Sequence, residues 1–339
     1  MNQFRKLLFP FGVLYDGITR TRNFLFDKKI LKSYSFDIPI ICVGNLNVGG
    51  TGKTPQIEYL IRLFSNNYRV ATLSRGYKRE SKGFVLANET SNAASLGDEP
   101  FQFYSKFKNI QVAVDSDRKN GIEKLLSHDL KPEIILLDDA FQHRKVKAGF
   151  YILLSTFDDL YSDDLVLPAG NLRESRSNAD RANIIIVTKC PKNLSIENQN
   201  IIIDKLKINK NQQIFFSCIA YDDKIYSENK TLLVTEIQSE NKLLIAGIAN
   251  PKTFFKHLKS INDNVLEFSD HHYFTKNEIE NIKQQSADRI IITTEKDYVR
   301  LKNESIDNLF YLPIKSNFIG NAANFDSAII KFVTEHISQ

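Results

Sequence analysis

The fold is decided by the stretch Gly44-Asn45-Leu46-Asn47-Val48-Gly49-Gly50-Thr51-Gly52-Lys53-Thr54-Pro55, which follows an apolar run at residues 40–43. A strand, a glycine-rich loop and a helix in this order form a phosphate cradle. Backbone N–H groups can turn towards phosphate oxygens, Lys53 is expected to reach the β- and γ-phosphates, and the Thr54 hydroxyl is expected to bind Mg²⁺. The stretch therefore predicts a nucleoside triphosphate site built from Gly49, Gly50, Thr51, Gly52, Lys53 and Thr54.

The loop departs from the pattern G-x-x-x-x-G-K-[ST] at its first glycine, where this chain has Asn47. Asn adopts positive φ more readily than most residues, so it is expected to be tolerated there. A glycine-rich turn with a chance Lys-Thr pair is the alternative. The strand before the loop and the helix after it favour the triphosphate site.

Length and composition indicate a globular protein of two domains. The chain has 339 residues, 42% of them hydrophobic. Its three cysteines, Cys42, Cys190 and Cys218, lie far apart with no C-x-x-C spacing. That spacing argues against a disulfide scaffold or a zinc knuckle and favours a reducing, cytoplasmic setting.

The net charge of +5 resides entirely in the first 34 residues, which hold seven Lys or Arg side chains and two Asp. The remainder of the chain is balanced. An enzyme of nucleic acids more often carries its basic excess on the body of the fold, so no nucleic-acid partner is expected.

The same N-terminal segment is rich in large apolar side chains, interrupted by Pro10 and Gly12. It lacks the roughly 20 consecutive apolar residues that span a bilayer and has no small-residue cleavage site, which argues against a transmembrane helix and a signal peptide. An amphipathic helix at a membrane surface is one interpretation of residues 1–34. A helix packed on the catalytic domain is the other, and the sequence leaves both open.

Short apolar runs alternate with helical stretches after the loop, which predicts an α/β fold. We expect a P-loop NTPase-type, mostly parallel sheet with helices on both faces over residues 35–212. Strand-like segments without a long helix predict a β-linker at 213–235. A smaller α/β domain is expected at 236–339, with residues 309–318 pairing with the linker.

Acidic residues occur where ligands of parallel sheets bind, beyond the carboxyl ends of strands. The run at 134–137 ends in Asp138 and Asp139, the pattern of a Walker B strand that delivers carboxylates to Mg²⁺. Asp98, in Gly97-Asp98-Glu99-Pro100, is a candidate base for phosphoryl transfer to an alcohol, although capping of a helix is the more common use of such a pair.

His271 lies in the sequence Asp270-His271-His272 at the end of a predicted strand in the second half. An adjacent Asp could orient the imidazole, or the imidazole could tune a catalytic carboxylate. Binding of a transition metal is a further alternative, but it requires more ligands to converge.

Eight motifs in order resemble the tetraacyldisaccharide 4′-kinase family of lipid A biosynthesis. They are VGNLNVGGTGKTP, SRGYKR, GDEP, LLDDAFQHR, LPAGNLRE, AGIANP, DHHYFT and TTEKD, and they run from residue 43 to residue 297. Each motif is weak alone, but eight in family order are highly specific.

The resemblance implies transfer of the ATP γ-phosphate to the 4′-hydroxyl of a tetraacyldisaccharide 1-phosphate at the cytoplasmic face of the bacterial inner membrane. It implies that Lys53 and Asp139 are catalytic, that Thr54, Asp138 and Asp139 serve Mg²⁺, and that Asp98 and His271 act as a catalytic pair. It further implies that Arg173 and Glu174 line the nucleotide or acceptor site.

Two other functions use the same loop. One is a kinase of a soluble small molecule. The other is a GTP-dependent metallochaperone or switch protein, which could use the strand end Val187-Thr188-Lys189 for base contacts. A switch protein does not need an apolar, basic N-terminal segment, and its turnover should not depend on a glycolipid.

Overall fold

The computed structural model describes residue 5 and residues 7–270, 272–286 and 289–338. Its helices are α1 (Phe9–Asp27), α2 (Lys53–Phe64), α3 (Ala93–Leu96), α4 (Asp98–Lys106), α5 (Arg118–Leu126), α6 (Ile196–Leu206), α7 (Lys252–Leu258), α8 (Lys276–Ser286), α9 (Glu295–Leu301) and α10 (Ala322–Ile337). Short 3₁₀ helices lie at Tyr161–Asp163 and Arg176–Arg181.

The strands are β1 (Ile40–Asn45), β2 (Val70–Ser74), β3 (Val85–Leu86), β4 (Gln111–Val114), β5 (Ile134–Asp138), β6 (Phe150–Thr156), β7 (Ile184–Thr188), β8 (Gln213–Tyr221), β9 (Lys224–Tyr226), β10 (Thr231–Leu233), β11 (Lys242–Ala246), β12 (Asn264–Glu267), β13 (Ile290–Thr294), β14 (Leu309–Leu312) and β15 (Ile314–Phe318).

The first sheet has the strand order β15-β8-β7-β6-β1-β5-β2-β4-β3. Its central pairs are parallel, and only the described edge pairs β3–β4 and β15–β8 are antiparallel. Alternate residues of β1 enter different cores: Ile41 and Val43 pack in the layer with α2, while Ile40 and Cys42 face the layer with α5 and α6. These pairings and the two cores confirm the predicted mostly parallel sheet with helices on both faces. Such a sheet buries its strands on two sides, which explains why the strands are continuously apolar.

The second sheet has the order β10-β9-β14-β13-β11-β12, with parallel pairs among β11 to β14 and an antiparallel edge at β9 and β10. Two strand connections join the sheets, from β8 to β9 and from β14 to β15. At this crossing the Asp222 N–H donates to the Pro313 carbonyl at 3.0 Å, and Lys315 pairs with Asp222 at 2.7 Å.

Strands β14 and β15 pair with β9 and β8, so residues 309–318 contact the segment 213–235 that was expected as a linker. Within residues 213–235, β8 belongs to the first sheet and β9 and β10 to the second. Strand β15 and helix α10 return to the first sheet, where Phe325, Ile329 and Val333 enter the same core as α2. These three residues recur every fourth position and form one apolar face, and only the tertiary structure selects which sheet that face covers.

Helix α1 packs with its small and polar side inwards. Its buried residues are Gly12, Thr19 and Asn23, whereas Phe11, Leu14 and Ile18 are 62%, 65% and 61% exposed. The two interpretations of this segment are therefore compatible, since one face contacts the catalytic domain and the other presents large apolar side chains to solvent. In the described residues, no helix has both the length and the apolar character needed to cross a bilayer.

Candidate active site

The phosphate loop connects β1 to α2 and requires glycine at two positions. Gly49 has φ +113° and Gly52 has φ +87°, a region that side chains with a Cβ rarely adopt. Lys53, the first residue of α2, donates from Nζ to Asn45 Oδ1 at 3.1 Å and lies 3.7 Å from Asp139 Oδ1. The loop thus presents one amine and its backbone N–H groups at the carboxyl end of β1.

Asn47 does not have a positive φ in the structure, so the tolerance of Asn for that backbone region does not explain its place in the loop. It forms an isolated antiparallel bridge with Leu172, and the Val48 N–H donates to the Asn171 carbonyl at 2.8 Å. Backbone contacts from the loop at 165–174 therefore fix Asn47, the residue that stands where the standard motif has glycine.

Asp138 and Asp139 have different surroundings at the end of β5. Asp138 is buried: Ser74 donates to its Oδ2 at 3.3 Å, and its Oδ1 has no hydrogen-bond partner among the described residues. Burial raises the pKa of Asp138 to about 7, with further contributions from the Glu99 and Asp139 charges. A buried carboxylate oxygen without a partner among the described residues fits a bound cation.

Asp139 has φ +49°, and both of its oxygens accept hydrogen bonds from Arg173 Nη1, at 2.9 and 3.0 Å. Burial favours the neutral acid, but the cations of Lys53 and Arg173 outweigh it and lower the pKa of Asp139. Asp139 is therefore the ionised partner that orients these two cations towards the loop.

Glu99 is a residue of this site to which the sequence assigned no role. Thr54 donates from Oγ1 to Glu99 Oε1 at 3.1 Å. The arrangement fits Mg²⁺, which typically takes one or two carboxylates and a hydroxyl and completes its octahedron with phosphate oxygens and water. In the sequence, the signal for this residue was the GDEP turn. The start of a helix explains a Glu at that position equally well.

Asp98 begins α4 and contacts the second sheet's helix α9. Arg300 of α9 donates from Nη2 to Asp98 Oδ2 at 2.5 Å, and Lys296 lies 3.6 Å from Glu99 Oε1. The structure therefore brings Asp98 to the interface between the two sheets, one residue from the Thr54–Glu99 contact. His271 lies outside the described residues, so its pairing with Asp98 stays a prediction.

Arg173 and Glu174 are adjacent but face different surroundings. Arg173 points to Asp139, as described above. Glu174 is buried and accepts hydrogen bonds from Arg181 Nη2 at 2.6 Å and from Asn23 Nδ2 of α1 at 2.8 Å. These contacts make Glu174 the anchor between α1 and the loop that carries Arg173.

The comparisons with known proteins agree with one another. The sequence matches the family model described as tetraacyldisaccharide-1-P 4′-kinase over residues 4–334. It is 64% identical to a tetraacyldisaccharide 4′-kinase of Flavobacterium johnsoniae, with 99% of each chain covered. Identity is 45% to the enzyme of that name from Bacteroides fragilis, over 98% of this chain and 94% of the relative.

A solved structure is also similar over nearly the whole chain. It is the LpxK crystal structure from Aquifex aeolicus in complex with ATP, with a TM-score of 0.79 and 29% identity over 98% of this chain and 100% of that one.

Proposed function

The chain belongs to the tetraacyldisaccharide-1-P 4′-kinase family, and from this membership we propose that it transfers the γ-phosphate of ATP to the 4′-hydroxyl of a tetraacyldisaccharide 1-phosphate. The observation that carries the proposal at the site is the contact between Thr54 and Glu99. The contact supports the proposal because Asp98 is the residue next to Glu99, so a candidate base lies near the loop that is proposed to bind the nucleotide phosphates.

The transfer needs one proton acceptor and several positive charges. The acceptor oxygen forms a bond to the γ-phosphorus, the bond from that phosphorus to the β-phosphate oxygen breaks, and the hydroxyl proton passes to the Asp98 carboxylate. Lys53 and Arg173, both paired with Asp139, are the cations proposed to stabilise the negative charge that the transition state distributes over the phosphate oxygens.

Thr54, Asp138 and Glu99 are the residues that would hold Mg²⁺ with the phosphate oxygens, and Asp139 lies next to them. When bound, the ion neutralises phosphate charge. The buried Oδ1 of Asp138, which has no partner among the described residues, supports this assignment.

His271 is proposed to act with Asp98 as a pair. Asp98 lies against α9 of the second domain, and His271 follows β12 of that domain in the sequence. The catalytic site is then the cleft between the domains, and closure of the cleft brings the base to the nucleotide while excluding water.

Helix α1 is proposed to bind the cytoplasmic face of the inner membrane, with the protein attached peripherally beside its glycolipid substrate. The outward side chains Phe11, Leu14 and Ile18 support insertion into the interface. Arg20 is paired with Asp16 at 2.7 Å and Arg22 donates to the Gln142 carbonyl at 3.3 Å, so these arginines also have roles within the fold.

Labelled ATP with and without tetraacyldisaccharide 1-phosphate tests the activity directly. We expect label from the γ-phosphate in the glycolipid, and no comparable transfer to glucosamine 1-phosphate, which is a soluble acceptor. Hydrolysis that proceeds equally without glycolipid, with no labelled lipid, would overturn the proposal. The Lys53→Ala variant serves as the inactive control.

A further inference from the structure

The TTEKD motif at 293–297 has no role in the chemistry proposed above, yet it forms much of the contact between the two domains. Its Glu295 and Lys296 begin α9, and both reach α4 of the first domain. Lys106 of α4 lies 2.8 Å from Glu295 Oε1 and 3.0 Å from Oε2, while Lys296 contacts Glu99. The motif is therefore placed against the helix that carries Asp98.

Helix α4 is also fastened to α2, the helix that follows the phosphate loop. Glu99, Gln102 and Lys106 lie on one face of α4, with spacings of three and four residues. Glu99 accepts from Thr54, and Gln102 Nε2 donates to Glu58 Oε1 at 3.0 Å. Because Thr54 and Glu58 are one helical turn apart, the two helices are joined along matching faces.

Lys106 is the side chain common to the three helices. Its Nζ lies 2.7 Å from Glu58 Oε2 on α2 and 2.8 Å from Glu295 Oε1 on α9. The side chains of Glu58, Lys106 and Glu295 are 2%, 15% and 8% exposed, so the three charges are largely removed from water. A cation between two buried carboxylates is well paired. Its removal takes that cation away from Glu295, while Glu58 keeps its 2.7 Å pair with Arg62.

We propose that Lys106 is a positioning residue that couples closure of the second domain to the phosphate loop, by binding Glu58 and Glu295 at once. The proposal rests on the transfer activity proposed above, since closure matters only if Asp98 must meet a bound nucleotide. Lys106 lies eight residues from Asp98, about 12 Å along the helix axis, so it acts through α4 and not on the reacting atoms.

The electrostatic surroundings of Glu295 support this role. Its charged neighbours are Glu58 and Arg62 on α2 and Lys106 on α4, and the Tyr311 hydroxyl of β14 is the other titratable group facing it. Burial and the Glu58 charge raise the pKa of Glu295 to about 7, and Lys106 opposes that rise. Without Lys106, burial and the Glu58 charge act on Glu295 without that opposing cation, so the closed arrangement favours a proton on Glu295.

The first test uses Glu295→Gln, which removes the charge across the interface and leaves the Lys106–Glu58 pair intact. We expect an unchanged dissociation constant for a non-hydrolysable ATP analogue and a loss in kcat/KM for the glycolipid of about 100-fold, the size of effect that a misplacement near 1 Å can produce. The matched control is Lys108→Met, which changes an exposed lysine two residues after Lys106. Its kcat/KM should equal that of wild type.

The second test compares pH profiles of Lys106→Met, Lys106→Arg and Lys106→Met/Glu295→Gln. In Lys106→Met the closed state is expected to bind a proton at the buried carboxyl pair, whereas the open, solvated state does not. The kcat/KM of this variant relative to wild type should therefore fall as the pH rises from 6 to 8.5, by up to about tenfold per pH unit. Lys106→Arg keeps the cation and should follow wild type. The double variant has one buried carboxylate fewer and should lose the added pH dependence.

The outcomes separate the two proposals. A wild-type enzyme that transfers no phosphate contradicts the proposed function itself. An active wild type with unchanged kcat/KM in Glu295→Gln, or a Lys106→Met loss that does not vary with pH, overturns the positioning role. If Lys106→Met does not fold, as judged by circular dichroism, Glu295→Gln and the double variant still decide the question.

Discussion

The Thr54 hydroxyl donates a 3.1 Å hydrogen bond to Oε1 of Glu99, which joins the last residue of the phosphate loop to the first turn of α4. Asp98 precedes Glu99, so the contact also fixes where the candidate base lies relative to the nucleotide. One pair of side chains thereby joins a candidate Mg²⁺ ligand to the helix that begins with the candidate base.

Glu99→Gln keeps the size of the side chain and removes its charge. We expect the Mg²⁺ concentration for half-maximal transfer to rise, with activity lowered at least about 10- to 100-fold, the loss that changing even an outer partner of a metal ligand typically causes. Titration of transfer against Mg²⁺ measures this. Glu89→Gln, at an exposed position, is the control, and an unaltered Mg²⁺ dependence in Glu99→Gln would contradict the assignment.

Lys53→Ala and Asp139→Ala should each abolish measurable transfer without unfolding the chain. Lys53 is proposed to supply positive charge at the phosphates, and Asp139 pairs with both Lys53 and Arg173. Loss of one such electrostatic contact costs on the order of 10² to 10³ in kcat. The measurement is transfer of labelled γ-phosphate, with circular dichroism to verify folding. Near-normal transfer by either folded variant would remove the phosphate-cradle interpretation.

Replacing Phe11, Leu14 and Ile18 with Ser should weaken binding to vesicles that contain anionic lipid. These side chains face solvent, so the fold should be retained, and each lost insertion should reduce the binding free energy by about 1 kcal/mol or more. Reversing the charge of Lys28 and Lys29 should weaken binding further, by about 1 kcal/mol for each residue.

Vesicle co-sedimentation measures this binding. Deletion of residues 1–34 is a less direct test, because it also removes the Asn23–Glu174 hydrogen bond inside the fold. Co-sedimentation unchanged in the triple Ser variant would show that the outward face of α1 does not meet the membrane.

Asp98→Ala and His271→Ala should each lower turnover by about 10² to 10⁴, the usual contribution of general base catalysis. If the two residues act as a unit, the double variant should lose much less than the product of the single losses. Nucleotide affinity should change little, since neither residue belongs to the phosphate loop. Fully multiplicative losses in this double-mutant cycle would indicate two independent roles.

His143 should make the fold sensitive to acid. Burial and the nearby Arg118 charge lower the pKa of His143 from 6.5 to about 4. Below pH 6.5 the unfolded chain binds this proton while the folded chain does not, so the contribution to stability is complete above pH 6.5 and is lost as the pH falls towards 4.

Denaturant unfolding of wild type and His143→Gln between pH 7 and pH 4 measures that contribution. The stability of wild type should decline more steeply than that of His143→Gln, and the exposed control His128→Gln should follow wild type. Parallel stability curves for wild type and His143→Gln would contradict the buried, neutral imidazole.

The sequence alone determined the features that depend on neighbouring residues. The glycine spacing of residues 49–54 and the apolar run ending in Asp138 and Asp139 predicted the phosphate loop, its strand and the parallel sheet, because strand, turn and helix patterns repeat over a few positions. The order of eight short motifs indicated the family.

Only the tertiary structure decided which surfaces meet. It placed α10 on the first sheet, turned the polar side of α1 inwards, and joined Lys106 to Glu295 across 189 positions of the chain. The periodicity of a helix shows that it has an apolar or polar face, but not the surface that covers that face. That choice depends on the shape and charge of segments distant in sequence, so the contacts of Glu99 with Thr54 and of Lys106 with Glu295 are seen only in the tertiary structure.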